Sequence, residues 1–154
     1  MKQADGKRYE KFYLPDVKPF PGVRDLFQAI KSDGGFIALA TDWKDLQLMH
    51  YLRLLAVDDL IDQIACGDDV EKGKPDPELV LLAMGGLRLP AARTVMIGDS
   101  PYDSEAAAAA GVASIGLLSG GFASEAFVEA GALVVLEQIG ALKSLLTSSN
   151  PIAR

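Results

Sequence analysis

Short apolar runs alternate with amphipathic stretches along most of the 154-residue chain. The first amphipathic stretch begins near Pro21 and stops at Gly34-Gly35. Its apolar residues recur at i, i+3, i+4 and i+7, which predicts a helix with one buried face: Val23, Leu26, Phe27 and Ile30. The run that follows, residues 36–40, is continuously apolar, as is typical of a parallel strand covered on both faces.

The same alternation predicts the remaining elements of the fold. Further strands are expected at residues 61–65, 94–97, 113–117 and 133–136. Helices are expected at residues 44–55, 77–84 (stopping before Gly85-Gly86), 123–130 and 139–146, with an alanine-rich helix before Gly111. Strands that alternate with helices at this spacing indicate βαβ units, so we predict an α/β fold: a three-layer, Rossmann-like core with a mostly parallel sheet.

The amino-acid composition limits which cellular compartment and which binding partners we expect for the protein. The formal net charge of −6 argues against nucleic acid or an anionic membrane as the main partner. Cys66 is the single cysteine, and the polar first residues contain no signal-peptide core, so we predict a cytoplasmic protein. The longest uncharged stretch, residues 106–124, is dominated by alanine, glycine and serine and predicts no membrane span. We divide the chain into a lead-in or linker (1–20), one core domain (21–148) and a polar tail (149–154).

Two acids follow the predicted strand at residues 94–97. Asp99 and Asp103 lie where that strand turns into the alanine-rich helix. Ligands of open α/β sheets bind at the carboxyl ends of the strands, and Mg²⁺ needs only one or two protein carboxylates besides water and phosphate oxygens. The two acids therefore predict a magnesium site. They also suit a helix start, as an N-cap and a first-turn acid, and this alternative stays open.

Two other loops at the same predicted edge carry groups that suit a phosphate. Thr41 ends the strand at 36–40 and offers a hydroxyl, with free backbone N–H groups at Thr41 and Asp42. Lys74 offers a cation on a loop that Pro75 keeps extended. Together with Asp99 and Asp103 this set is complementary to a phosphoryl group and its Mg²⁺. Taken singly, Thr41 also fits an N-cap and Lys74 a solvated loop charge.

On these residues the chain resembles the haloacid dehalogenase superfamily, particularly its phosphoglycolate-phosphatase-like members. The matching segments are PFPGVRDLFQAI, ALATDWKDL, EKGKPDPELV and GDSPYDSEAAAAAGV, and the resemblance runs from about Tyr9 to the end of the chain. It implies that Thr41 and Asp42 bind the phosphate and that Lys74 neutralises it. It also implies that Asp99 and Asp103 hold Mg²⁺, with Lys74 and Asp99 as the candidate catalytic residues and a small phosphorylated metabolite as the substrate.

The sequence departs from the family at its start. Family members open with an apolar strand that ends in a D-x-D motif, whose first aspartate attacks phosphorus, and helical cap residues usually follow. Asp5 has no apolar strand before it and no acid two residues on, so neither feature is found in these residues. Without an activated carboxylate the covalent route is closed. We therefore predict weak Mg²⁺ binding and little or no hydrolysis; the alternative is a non-enzymatic module that binds Mg²⁺ and phosphate or serves in assembly.

The departure also makes a prediction about the sheet. By resemblance, the first strand is missing from between the strands at 36–40 and 94–97, so two strand edges would lack partners. These edges can pair with each other directly, or they can receive the residues around Tyr9 to Leu14. They can also receive a segment of a second copy, and we expect a homo-oligomer that covers the exposed edges in this way.

Overall fold

A computed structural model describes residues 20–147, in which helices and strands alternate. In chain order the elements are α1 (Val23–Ser32), β1 (Ala38–Ala40), α2 (Asp45–Leu55), β2 (Gln63–Ala65), α3 (Glu78–Leu87), β3 (Val95–Gly98), α4 (Pro101–Ala109), β4 (Ala113–Leu117), α5 (Ser124–Glu129), β5 (Val134–Leu136) and α6 (Gly140–Thr147). The predictions for the segment around Tyr9 to Leu14 and for the polar tail fall outside the described residues.

The strands form two parallel sheets. β1 pairs with β2, with Ala38 opposite Gln63. The second sheet has the order β3-β4-β5, with Val95 opposite Ala113 and Ile115 opposite Val134. The α/β class and the parallel strands are thereby confirmed. Direct pairing between β1 and β3 does not occur in residues 20–147, so a contracted single sheet is the wrong solution.

Helices cover both faces of the sheets, and adjacent strand residues show which helix covers which face. Leu39 packs into a cluster with α1 and α2, whereas its neighbour Ala38 packs against α3. In β3, Ile97 packs with α1 and α6, whereas Met96 packs with α3 and α4. Because successive side chains of a strand point to opposite faces, α1, α2 and α6 form one layer and α3 and α4 form the other. The predicted three-layer arrangement is confirmed.

Helix α3 differs from the prediction at its C-terminus. The helix was expected to stop before Gly85-Gly86, but it continues through both glycines to Leu87 and ends at Arg88, whose φ is 55°. At Gly86 a Cβ atom would overlap the side chain of Gln63 in β2. Gly86 therefore serves close packing of the helix on the strand rather than helix termination.

Strand β1 is shorter than its apolar run. Only Ala38–Ala40 are in the strand, and Phe36 is largely exposed, with the Lys31 ammonium 5.3 Å from its ring centroid. The Ile37 N–H donates to the Asp62 side chain at 2.8 Å instead of joining a ladder. This polar contact sets the start of the strand, which the hydrophobic pattern alone does not reveal.

We expect the Asp62 carboxylate to stabilise the fold in a pH-dependent way. Both of its oxygens accept from Lys31 Nζ, at 2.6 and 2.7 Å, and these bonds, with the Ile37 N–H, hold the pKa of Asp62 below its ordinary value. A carboxyl with a lowered folded pKa contributes stability above its unfolded pKa and loses it as pH falls through the folded pKa. Asp62→Asn should therefore cost about 1 kcal/mol at pH 7, a difference that shrinks below about pH 4.

The measurement is urea unfolding of the wild type and the variant at pH 7, 5 and 3.5. Asp33→Asn, on an exposed acid at the end of α1, is the control and should leave the free energy of unfolding unchanged at all three values. A loss of unfolding free energy in Asp62→Asn that is as large at pH 3.5 as at pH 7 would contradict the stabilising role of the Asp62 carboxylate.

No helix within residues 20–147 has the length and apolar character that crossing a membrane requires.

Candidate active site

The start of α4 fixes the position of Asp103. Ser100 is the N-cap, Pro101 is the first helical residue and Asp103 occupies the third position. One carboxylate oxygen of Asp103, Oδ2, accepts from the Ser100 backbone N–H at 3.1 Å and from the Ser100 hydroxyl at 2.9 Å. The alternative that the two acids serve the helix start is therefore correct for Asp103, which is a first-turn acid of α4. It is wrong for Asp99, because Ser100 is the N-cap.

The second oxygen of Asp103 contacts Lys74. Lys74 Nζ lies 2.6 Å from Asp103 Oδ1, and the two side chains are only 14% and 7% exposed. The same ammonium donates to the carbonyl oxygen of Ala40, at the end of β1, at 3.1 Å. Lys74 thus connects the loop before α3 to the carboxyl ends of β1 and β3.

The loop after β1 contributes Thr41 and Asp42. The Thr41 hydroxyl oxygen accepts from the Trp43 N–H at 3.2 Å, which leaves its own proton free to donate elsewhere. Asp42 Oδ1 accepts from the Lys74 backbone N–H at 2.9 Å, and Asp42 Oδ2 lies 3.6 Å from Lys74 Nζ. Asp42, whose side chain is 44% exposed, is therefore linked to Lys74 through both its oxygens.

A cavity of about 520 Å³ lies between β1 and β3, and candidate residues line it. Lys74, Asp99 and Asp103 are at the end of the cavity where β3 finishes, and Ser119 joins them there. Asp99 is exposed, whereas Asp103 is buried. Thr41 and Asp42 do not line the cavity; Asp42 is connected to it through Lys74. The structure thus places Lys74, Asp99 and Asp103 at one crevice, with the β1 loop beside it.

Two glycines allow the close approaches at this crevice. A Cβ atom on Gly98 would overlap the Asp103 side chain, and one on Gly73 would overlap the carboxylate of Asp42. The hydrophobic pattern did not single out either glycine for this role. Their position directly before a candidate residue, in G-D-S and G-K-P, was the signal that could have found them.

The other polar and aromatic candidates lie away from the cavity. The aromatic residues Trp43 and Tyr102 do not line the cavity, and Trp43 packs against Tyr51 with ring centroids 4.4 Å apart. His50 is exposed on α2 and meets the same Tyr51 ring edge-on. Burial raises the pKa of the Cys66 thiol, which argues against a nucleophilic role.

The charges at the crevice are unbalanced. Among the described residues, the Lys74 ammonium contacts the carboxylates of Asp42 and Asp103, and the carboxylate-bearing Asp99 lines the same cavity. Within the described part of the chain, no group of three His, Cys, Asp or Glu side chains is positioned to hold a metal ion by protein ligands alone. Mg²⁺ keeps several waters and takes one or two carboxylates, so an exposed Asp99 near Asp103 fits that ion.

Comparison with known proteins shows the protein family to which this chain belongs. The model of the haloacid dehalogenase-like hydrolases matches residues 3–117, and the chain belongs to this family. A phosphorylated carbohydrates phosphatase of Thermotoga maritima is 34% identical over 134 residues, covering 84% of this chain and 62% of that protein. A phosphoglycolate phosphatase of Nitrosospira multiformis is 32% identical over 105 residues, covering 68% and 46%. These relatives confirm the resemblance to phosphoglycolate-phosphatase-like members.

The fold of this chain also resembles that of a solved structure. A haloacid dehalogenase family hydrolase from Deinococcus radiodurans, crystallised with bound phosphate and sodium, superposes with a TM-score of 0.77 at 27% sequence identity. The match covers 84% of this chain and 59% of that one. The chain thus spans about half to two thirds of the length of these relatives.

Proposed function

We propose that this chain is the phosphate- and Mg²⁺-binding part of a phosphomonoester phosphatase, and that its ligand is a small phosphorylated metabolite. The observation that carries the proposal is the crevice itself: Lys74, Asp99 and Asp103 line one cavity, and Lys74 Nζ lies 2.6 Å from Asp103. The relatives support the substrate class, because they include phosphatases of phosphorylated carbohydrates and of phosphoglycolate.

Each residue has a task that its contacts allow. The Thr41 hydroxyl keeps a proton to donate to a phosphate oxygen, next to the backbone N–H of Asp42. Lys74 supplies positive charge, and its bonds to Ala40 and Asp103 hold the ammonium in place before a ligand arrives. Asp99 and Asp103 are the residues that would hold Mg²⁺.

The excess of carboxylates explains why phosphate and the metal should bind together. A phosphate dianion added to three carboxylates and one ammonium would meet net repulsion. A bound divalent cation neutralises charge on the phosphate oxygens and polarises the phosphoryl group. Because binding free energies couple reciprocally, Mg²⁺ should raise the affinity for phosphate and phosphate the affinity for Mg²⁺.

The proposed activity is weak. Of the three aspartates at the crevice, Asp103 is hydrogen-bonded on both oxygens, Asp42 is held by Lys74 and Asp99 is assigned to the metal, so none of them is available to attack phosphorus. The residues of this chain therefore bind and orient a phosphate, and hydrolysis of a phosphomonoester by the chain alone is expected to be slow or absent.

Titration calorimetry with inorganic phosphate tests the binding proposal. We expect phosphate binding in the presence of millimolar Mg²⁺, and at least tenfold weaker binding with EDTA or in Asp99→Asn, a change of about 1.4 kcal/mol. Glu105→Gln, on an exposed acid of α4, is the matched control and should bind like the wild type. Equal phosphate affinity with and without Mg²⁺, or in Asp99→Asn, would refute the assignment of Asp99 to the metal.

Phosphate release from p-nitrophenyl phosphate tests the activity. Binding without release is the expected result. Fast turnover that Asp99→Asn abolishes would show that a metal-activated water can attack phosphorus without a carboxylate nucleophile and would overturn the prediction of weak activity.

A further inference from the structure

The side chain of Lys74 is held by two hydrogen bonds at its ammonium, whereas the backbone of its loop is anchored separately. Residues 73–76 form a turn, which the Asp76 N–H closes by donating to the Gly73 carbonyl at 3.1 Å. Within such a turn the backbone N–H of the second residue, Lys74, has no internal acceptor. The partner of this donor therefore comes from another part of the chain.

Asp42, in the loop after β1, supplies the acceptor. Its Oδ1 atom accepts from the Lys74 N–H at 2.9 Å, although the two residues are 32 positions apart in the sequence. Its Oδ2 atom lies 3.6 Å from Lys74 Nζ, which is too long for a hydrogen bond and leaves only an electrostatic attraction. The acceptor oxygen, rather than the charge, therefore anchors the backbone of the Lys74 loop.

Two glycines make room for Asp42 where the two loops meet. A Cβ atom on Gly73 would overlap Asp42 Oδ1, and one on Gly67 would overlap the Asp42 backbone carbonyl. Neither glycine has a positive φ, so close packing and not backbone conformation explains why a side chain is absent at these positions. The Gly67 N–H also donates to the Trp43 carbonyl at 2.9 Å, so the two loops are joined on both sides of Asp42.

We propose that the Asp42 side chain positions Lys74 for phosphate binding through its acceptor oxygen, and that its negative charge is not needed for this task. The inference rests on the proposed phosphate site and adds a residue that acts on it through Lys74. Because Thr41 lies on the same loop as Asp42, the bond also fixes the hydroxyl of the site relative to the lysine. A carboxylate 3.6 Å from the ammonium weakens the attraction of Lys74 for a phosphate dianion.

Two substitutions separate the acceptor from the charge. Asp42→Asn keeps an oxygen that can accept from the Lys74 N–H and removes the charge, whereas Asp42→Ala removes both. In titration calorimetry with inorganic phosphate and millimolar Mg²⁺, Asp42→Ala should bind phosphate about fivefold more weakly than Asp42→Asn, the value of one neutral hydrogen bond. Asp42→Asn should bind phosphate at least as tightly as the wild type, because it removes a repelling charge.

Gly73→Ala gives a second readout through the same contact. In the wild type the added methyl group displaces the Asp42 carboxylate, so phosphate affinity should fall about fivefold. In the Asp42→Ala background that carboxylate is gone, and Gly73→Ala should then lower the affinity by less than about twofold. Such non-additive losses are expected when two residues act through one shared contact.

Asp68→Asn is the matched control for removal of a charge. Asp68 lies in the loop that carries Lys74, pairs with Lys44 at 3.2 Å, and has a side chain that is 46% exposed, against 44% for Asp42. Its substitution should leave phosphate affinity within about twofold of the wild type. Hydrogen exchange without phosphate follows the anchor itself: the Lys74 amide should exchange faster in Asp42→Ala, and Asp42→Asn should restore the wild-type rate.

The possible outcomes separate this inference from the proposed function. A wild type that does not bind phosphate with Mg²⁺ would refute the proposed function and overturn the inference with it. If the wild type binds phosphate, equal affinities in Asp42→Asn and Asp42→Ala, or weaker binding in Asp42→Asn than in the wild type, would overturn the inference alone. An unchanged exchange rate at Lys74 in Asp42→Ala, or additive losses in Asp42→Ala and Gly73→Ala, would also overturn it.

Discussion

Lys74→Met is expected to reduce the free energy of unfolding by about 3 kcal/mol. The Lys74 ammonium and the Asp103 carboxylate are almost fully removed from water and lie 2.6 Å apart. Removing the cation leaves the buried Asp103 charge with only its bonds from Ser100, and an uncompensated buried charge is far more costly than the pair. The same variant should lose measurable phosphate binding, because Lys74 is the one cation that lines the cavity among residues 20–147.

Urea unfolding followed by circular dichroism measures the effect on stability. Lys44→Met is the matched control: Lys44 Nζ also lies near a carboxylate, at 3.2 Å from Asp68, but its side chain is 75% exposed, so the loss should stay below about 0.5 kcal/mol. Adding Asp103→Asn to Lys74→Met should recover part of the stability, since it removes the orphaned charge. Equal losses in Lys74→Met and Lys44→Met would contradict the buried-pair interpretation.

Phe127→Ala is expected to cost about 3–5 kcal/mol, the range for a fully buried aromatic residue. The Phe127 side chain in α5 is 0% exposed, packs edge-on against Phe122, and lies so close to Gly116 of β4 that a Cβ atom there would overlap the ring. The cavity left behind could not be filled by a β4 residue that has no side chain. Val128, the next residue of α5, is 62% exposed.

Chemical unfolding of both alanine variants provides the comparison. Val128→Ala should remain within about 0.5 kcal/mol of the wild type, since it removes an exposed side chain. A loss below 1 kcal/mol in Phe127→Ala would mean that α5 is not anchored on β4 by this ring. The loop between β4 and α5, which contains Ser119, would then be less firmly held beside Asp99 than the structure indicates.

The order of elements could be predicted because each one depends on local pattern. The 3.6-residue period of α1, the continuous apolar run that contains β1 and the short apolar segment of β3 are visible in the sequence, and the structure has elements at those places. The placement of Asp99 and Asp103 after β3 follows from the same reasoning, since strand ends share one edge of a sheet.

Other features depend on contacts between residues far apart in the sequence. Gly85-Gly86 looked like a helix stop, and only the neighbouring Gln63 side chain explains why α3 continues through them. β1 starts late because Asp62, 25 residues further on, binds the Ile37 N–H. The bond between Lys74 and Asp103 likewise joins two loops 29 residues apart, which no local pattern specifies.

The two acids at the end of β3 have different freedom to change during evolution. Asp103 holds the start of α4 and the Lys74 ammonium at once, so most substitutions there are removed by selection for a folded protein before activity is tested. Asp99 is exposed and makes no such structural bond among those described, so a lineage can alter it and keep the fold. In a library of single substitutions that is selected for folding alone, we expect Asp99 to accept many residues and Asp103 few. A relative that is changed at Asp99 but not at Asp103 would therefore keep the fold and lose the metal-binding role proposed for Asp99.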